Sequence, residues 1–267
     1  MGTDTIFAGS IPAIYDQYTV PLIFAPYAKL VAERAAGFKP GRILETAAGT
    51  GVLTEAIHRS LPNAEIIATD LNQPMLDKAA RRMSASNVRF QQADAQALPF
   101  PGQNFDLVVC QFGVMFFPDK VLANREARRV LRDGGRYLLV IWDRIENNLA
   151  TMTAGRVVAD LFPFEAARFY ERVPFRYHDV GQIEQDLLAA GFTDMEFETV
   201  ELRSRAESAC HAAIALVQGT PVRSEIEQID PRMLGRATEV AEEALRQFEG
   251  PDGFDAPMSA RLVTATK

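Results

Sequence analysis

The residues best suited to chemistry lie in the run LETAAGTGVLTEAI, Leu44 to Ile57. Gly49 and Gly51 let a backbone turn sharply and come close to a ligand. An acid, Asp70, follows Gly49 by 21 positions. In an alternating α/β unit that separation lets a carboxylate accept hydrogen bonds from both hydroxyls of a ribose lying over the turn. Two plainer readings stay open: the turn only makes a corner between strand and helix, and Asp70 only caps the helix that follows. A dinucleotide fingerprint would require Gly-x-Gly-x-x-Gly, and the third position is Thr54. A ligand without a diphosphate fits better.

These residues need a scaffold, and the hydrophobic pattern supplies one. From Arg42 onward, short apolar runs alternate with amphipathic stretches, the signature of parallel strands joined by crossover helices. The runs 42–48, 64–70, 87–94, 105–112 and 135–142 are read as the first five strands. Their near-continuous apolar character predicts a sheet covered on both faces. Val52, Leu53, Ala56 and Ile57 share one face of the first helix, and Met75, Leu76, Ala79, Ala80 and Met83 one face of the second. Asn72 is the expected N-cap there, and a further helix is expected from Asp119 to Gly134-Gly135.

After Trp142 the rhythm changes. The expected organisation is an N-terminal helical flap over 1–40 and a core over 41–267, with insertions at about 143–178 and 205–250 forming a cap. Between the insertions lie a helix with Val180, Ile183, Leu187 and Leu188 on one side and a strand in MEFETVELR; SARLVTATK supplies the last strand. In such a sheet ligands bind at the carboxyl ends of strands, where strand order reverses. Those ends carry ETAAGTG, Asp70, Asp94-Ala95 and Cys110-Gln111-Phe112-Gly113.

Composition narrows the function classes. The chain has 267 residues, 48% hydrophobic and 24% charged, as expected of a folded globular protein. Its net charge of -7 disfavours nucleic acid, and the arginines of NREARRVLR fall on a solvated helix face. Cys110 and Cys210 do not make a disulfide framework, and no signal peptide or membrane-spanning run is read, so a cytoplasmic protein is expected. Acid and histidine spacing predicts no metal site. The chain's three histidines are His58, His178 and His211. His178 and Tyr18 are the candidate proton-transfer groups. The aromatics Phe162, Phe164, Phe169, Tyr170 and Phe175, with Met115, Phe116 and Phe117, either wall an apolar substrate pocket or bury the insertion.

Taken in order, ETAAGTG, ATDLNQPML, QQADAQALPFPGQNFDLVVCQFGVMFFPD and RVLRDGGRYLLVIW resemble the motifs of class I S-adenosylmethionine (SAM) dependent methyltransferases, near the branch of quinone-biosynthesis and phospholipid enzymes. The likeness is strong over about residues 40–145 and weaker at 189–192 and in the last strand. It implies a Rossmann-like, doubly wound, seven-stranded α/β sheet with an antiparallel last strand. It also implies SAM as cofactor and S-adenosylhomocysteine (SAH) as product. Residue by residue, Ala47, Gly49 and the neighbouring groups of Glu45, Thr50 and Gly51 would line the methionine part. Asp70 would hold the ribose, Leu71 and Met75 the adenine faces, Asp94 and Ala95 the adenine edge. Gln111 and Phe112 would stand near the methyl, and Met115, Phe116, Phe164 and Tyr170 around the acceptor. The implied partner is a hydrophobic or aromatic small molecule or a lipid head group; a homodimer is one assembly open to the chain. The alternative is a catalytically silent SAM-fold binding protein. The departure is Ala47, where the family often has glycine. Alanine is expected to be tolerated there unless the residue must take positive φ.

Overall fold

β-branched and apolar runs fold into strands and amphipathic runs into helices, as their periodicity requires. The computed structural model describes residues 11–162 and 168–267. Among them, the strands are β1 (Arg42–Thr46), β2 (Glu65–Asp70), β3 (Val88–Gln92), β4 (Phe105–Gln111), β5 (Leu131–Trp142), β6 (Asp194–Ala206), β7 (Glu249–Gly250) and β8 (Gly253–Thr266). They form one mixed sheet in the order β3-β2-β1-β4-β5-β8-β6, with the two-residue β7 pairing with β8. Strands β1 to β5 pair in parallel, and β8 runs antiparallel to β5, with Trp142 opposite Ala260. Because β1 pairs with both β2 and β4, strand order reverses beside it. Their carboxyl ends form the crevice in which such sheets bind ligands.

The chain divides into two compact units. The first comprises Ala28–Trp142, Tyr177–Val200 and Ala260–Lys267. Its core is the sheet interior, with Ile43, Leu44, Ile66, Leu107, Val108 and Ile141 fully buried. Helices Val52–Ser60, Gln73–Arg82, Lys120–Val130 and Val180–Ala189 belong to it. Burying such aliphatic side chains is worth about 1.5–3 kcal/mol each, before the entropy of ordering them is subtracted.

The second unit comprises the described residues up to Tyr27, with Asp143–Arg176 and Glu201–Ser259. It is helical: Leu149–Ala159, Val222–Ile229 and Met233–Leu245 are α-helices, and Tyr15–Phe24 and Ile214–Gln218 have π-type turns. The hydroxyl of Thr19 in the first π segment donates to the Ala215 carbonyl in the second at 2.8 Å. Helix Met233–Leu245 packs on Leu149–Ala159 and on the short helix Ala209–Ala213.

Several boundaries differ from the sequence reading. β1 stops at Thr46, since Ala47 turns into the left-handed region at φ +54°. The helix beginning after Asp119 is capped by that aspartate as expected, its carboxylate accepting from Leu122 N at 2.8 Å. It ends at Val130 instead of Gly134, since Leu131 already pairs with Phe105 in the sheet. Asn72 occupies the N-cap position of Gln73–Arg82 without a side-chain capping bond, its amide donating to Asp70 instead. The last strand begins at Gly253, well before SARLVTATK.

Candidate functional site

The loop after β1 holds three left-handed residues within five positions: Ala47 at φ +54°, Gly49 at +56° and Gly51 at +81°. Such a loop curls its amides inward. Ala48 N donates to Thr69 O at 2.9 Å, Gly49 N to Asp70 Oδ2 at 2.8 Å and Gly51 N to Ala48 O at 3.0 Å. Gly51 then caps helix Val52–Ser60, and a Cβ there would meet the Ala79 Cβ at 2.9 Å. Glycine at 51 therefore serves both the backbone and the packing of the next helix. Ala47 is the exception to the rule that left-handed positions go to glycine. An L-residue there costs about 1–2 kcal/mol. The sequence reading made alanine conditional on negative φ, and the condition is not met: the fold carries this strain.

Two carboxyl groups lie beneath this loop. Asp70, 8% exposed, accepts from Gly49 N and, through Oδ1, from Asn72 N at 2.8 Å and Asn72 Nδ2 at 3.3 Å. Burial holds its pKa above the ordinary carboxylate range, with these hydrogen bonds working the other way. Glu45, 1% exposed, accepts from the Thr54 hydroxyl at 2.6 Å. Burial first, and the nearby Asp70 charge after it, push Glu45 up to about 8 against the pull of Thr54. Thr54 is the residue standing where a dinucleotide site would place its third glycine. It is fully buried and committed to Glu45. The sequence showed it as a missing glycine; its pairing with an acid nine positions earlier was the signal left unread.

The remaining strand ends add polar and aromatic groups. After β3, Asp94 is exposed and its Oδ1 accepts from Gln96 N at 2.8 Å, with Ala95 half-buried between them. Gln96, absent from the sequence reading, also accepts from Asp119 N at 2.8 Å. Gln111 ends β4 half-buried. Phe112 follows in the left-handed region at φ +55°, its N–H donating to Val140 O at 2.8 Å. Its ring stacks on Trp142, centroids 3.7 Å apart and planes within 13°. Gly113 opens the tight turn Val114–Phe116, which carries buried Met115 and half-buried Phe116. Burial raises the Cys110 thiol to about 11, so it stays protonated at neutral pH.

Leu71 is 41% exposed beside Asp70, whereas Met75 is buried in its helix. His178 is half-buried just before Asp179, the cap of helix Val180–Ala189, in the same unit as the strand ends. Tyr18 and Tyr170 belong to the helical unit. Tyr18 packs its ring 5.3 Å from that of His211, whose Nδ1 lies 3.3 Å from Glu207. The Tyr170 hydroxyl donates to Leu216 O at 2.6 Å in an aromatic cluster with Phe169 and Phe175. Phe164 lies outside the described residues. Among the described residues no helix is long and apolar enough to cross a membrane.

The arrangement suits a cation carrying a ribose. A cation would offset the burial that raises both carboxyls, and Thr50 Oγ1 is buried in the loop with no hydrogen-bond partner among the described residues. Leu71 offers an open apolar surface next to Asp70, and the N-terminus of Val52–Ser60 favours an anionic end group. These features fit SAM, which combines a sulfonium, an adenosine and an amino-acid carboxylate.

Comparison with known proteins agrees. Residues 43–135 match the family described as methyltransferase domain. The ubiquinone/menaquinone biosynthesis C-methyltransferase UbiE of Saccharophagus degradans is 35% identical over 150 residues, 54% of this chain and 55% of that protein. The chain thus spans about half the length of that relative. The YcgJ protein of Bacillus subtilis superimposes with a TM-score of 0.60 at 21% identity, covering 91% of this chain and 98% of that one. Phosphoethanolamine N-methyltransferase 2 of Haemonchus contortus, in complex with SAM, gives a TM-score of 0.61 at 18% identity over 100% of this chain and 60% of that one. At such identities the structural likenesses speak for the fold alone. Over residues 43–135 this chain resembles the class I SAM-dependent methyltransferases in its matched methyltransferase domain, its ordered strand-end motifs and its sheet.

Proposed function

We propose that this chain binds SAM at the ends of β1, β2, β3 and β4 and transfers its methyl group to a hydrophobic or aromatic small molecule or a lipid head group. The observation carrying this reading is the joined loop and acid: Gly49 N–H on Asp70, with Leu71 exposed beside it and Thr54 turned to Glu45 instead of opening a diphosphate seat. In this reading Asp70 receives the ribose hydroxyls, Leu71 and Met75 flank the adenine, and Asp94 with Ala95 meets its edge. Ala47, Gly49, Thr50 and Gly51 line the amino-acid portion, and Glu45, protonated in the free fold, gains its charge as the bound cation lowers its pKa. Gln111 and Phe112 stand towards the acceptor.

When bound, SAM supplies an electrophilic methyl on a sulfonium sulfur. The chain's own contribution is to hold donor and acceptor in line and to keep water away. An apolar acceptor agrees with Met115 and Phe116 in the turn after β4. The likeness to ubiquinone/menaquinone biosynthesis C-methyltransferases supports an aromatic ring as the methylated group. A phenol or enol acceptor must also lose a proton, for which His178 is the candidate base.

A thermal-shift titration against SAM, SAH and NAD tests the cofactor. A ligand at about a hundred times its dissociation constant adds roughly 2.7 kcal/mol, a rise of several degrees for a chain of this size. The expected result is a shift with SAM and SAH and none with NAD, followed by SAH release in the presence of hydroquinones bearing apolar tails. A shift with NAD alone would overturn the reading. SAM binding without SAH release from hydroquinones, phenols or phosphoethanolamine would turn it towards a silent binding protein.

A further inference from the structure

Gly113 poses a question its backbone does not answer. At φ −108° and ψ −38° it sits in the right-handed region, where any residue is comfortable. Space is what excludes a side chain. A Cβ at 113 would lie 2.4 Å from the Ala47 Cβ and 2.9 Å from Cys110 Sγ. Ala47, meanwhile, holds its methyl there only by taking the left-handed conformation that alanine resists. The two oddities explain each other: the methyl missing at 113 is present at 47, and it bridges the loop after β1 to the turn after β4.

That turn carries much of the candidate site. Phe112, immediately before Gly113, is fixed by its N–H on Val140 O and its stack on Trp142. Gly113 O accepts from Phe116 N at 3.0 Å, closing the turn that bears Met115 and Phe116. We propose that Ala47 and Gly113 form a matched pair in which the Ala47 methyl is a positioning spacer, setting the distance between the cofactor loop and the Phe112–Phe116 turn. The functional part of this inference rests on the cofactor reading above; the pairing itself does not.

The test is a double-mutant cycle of Ala47→Gly and Gly113→Ala in a Cys110→Ala background, which takes the sulfur out of the comparison. Two readouts are used: SAH affinity by calorimetry, and the emission of Trp142, the chain's single tryptophan, in the free proteins. Gly113→Ala should weaken SAH about tenfold or more and shift the Trp142 emission, as an overpacked contact moves Phe112. Adding Ala47→Gly should bring both back to within about threefold and to the starting emission, a coupling expected only of groups in contact. Ala47→Gly alone should weaken SAH without lowering the melting temperature, since it also relieves the left-handed strain, which separates positioning from mere stability. Independent effects of the two substitutions would overturn the proposal. If Gly113→Ala does not fold, recovery of folding in the double variant supports the pairing, and failure there too overturns it. If the parent protein binds no SAH, the cofactor reading falls, and the emission cycle still decides the pairing.

Discussion

Two buried acids, one in each compact unit, are treated very differently. Asp143 and Glu45 are each 1% exposed. Asp143 accepts from Arg144 N at 2.8 Å, Asn147 Nδ2 at 2.8 Å and the Ser259 hydroxyl at 3.0 Å, and its own N–H donates to Ser259 O at 3.2 Å. Among the described residues, the Glu45 carboxyl takes one hydrogen bond, from Thr54. A carboxylate offers about four lone-pair sites, so Asp143 is largely saturated and Glu45 keeps spare capacity. The saturated acid has the pattern of a structural knot. The acid with spare capacity lies beneath a left-handed loop at a strand end, where a cationic ligand would complete it.

Removing the knot should have the largest effect. Asp143→Ala strands three donors in a buried setting, an expected loss of about 3 kcal/mol or more in urea-unfolding stability. A loss under about 1 kcal/mol would end the contrast with Glu45. Asp70→Ala should instead act on binding, weakening SAM by roughly 1.5–3 kcal/mol in calorimetry, the scale for hydrogen bonds to a charged group. Unchanged SAM affinity would take Asp70 out of the site.

pH sharpens the contrast. Glu45 is raised to about 8 in the fold from an ordinary value of 4.5, so between these values the folded chain holds a proton that the unfolded chain has released. Stability from this group is fullest below about 4.5 and falls as pH rises towards about 8, by at most about 1.4 kcal/mol per pH unit. The raised Asp70 acts in the same sense from a lower starting pH. In Glu45→Gln the upper part of this fall should vanish from denaturation midpoints measured between pH 5 and about 8.5; a variant that keeps it would clear Glu45 of responsibility. The smallest effect is expected from Thr54→Val, about 1 kcal/mol of stability. It should also move the end of the Glu45 slope to higher pH, because the lost hydroxyl had favoured the charged form.

Much of the fold was legible because parallel strands and crossover helices write their period directly into the chain. The Gly49–Asp70 spacing reads as that of a turn and a ribose-binding acid; the direct 2.8 Å hydrogen bond between the two was not foreseen in it. What stayed hidden depends on tertiary contact. Thr54 read as an absent glycine because its acid partner is revealed only when helix Val52–Ser60 lies against β1. Ala47 read as a small substitution because a backbone φ is not written in residue type. Asn72 looked like a helix cap, yet the nearby Asp70 competes for its amide. The aromatics around Tyr170 permitted two readings in the sequence; Phe169, Tyr170 and Phe175 are buried against one another within the helical unit.

The place of β8 in the sheet has a consequence for synthesis. β8 lies between β5 and β6, and its Ala260 pairs with Trp142, made about a hundred residues earlier. At ribosomal rates that gap is on the order of ten seconds. Throughout it, the nascent chain presents the long apolar edge of β5 without a neighbour, the kind of edge that recruits foreign strands. Chaperone demand during translation should therefore peak after β5 emerges and end when β8 does, making the yield of this protein sensitive to elongation speed between them.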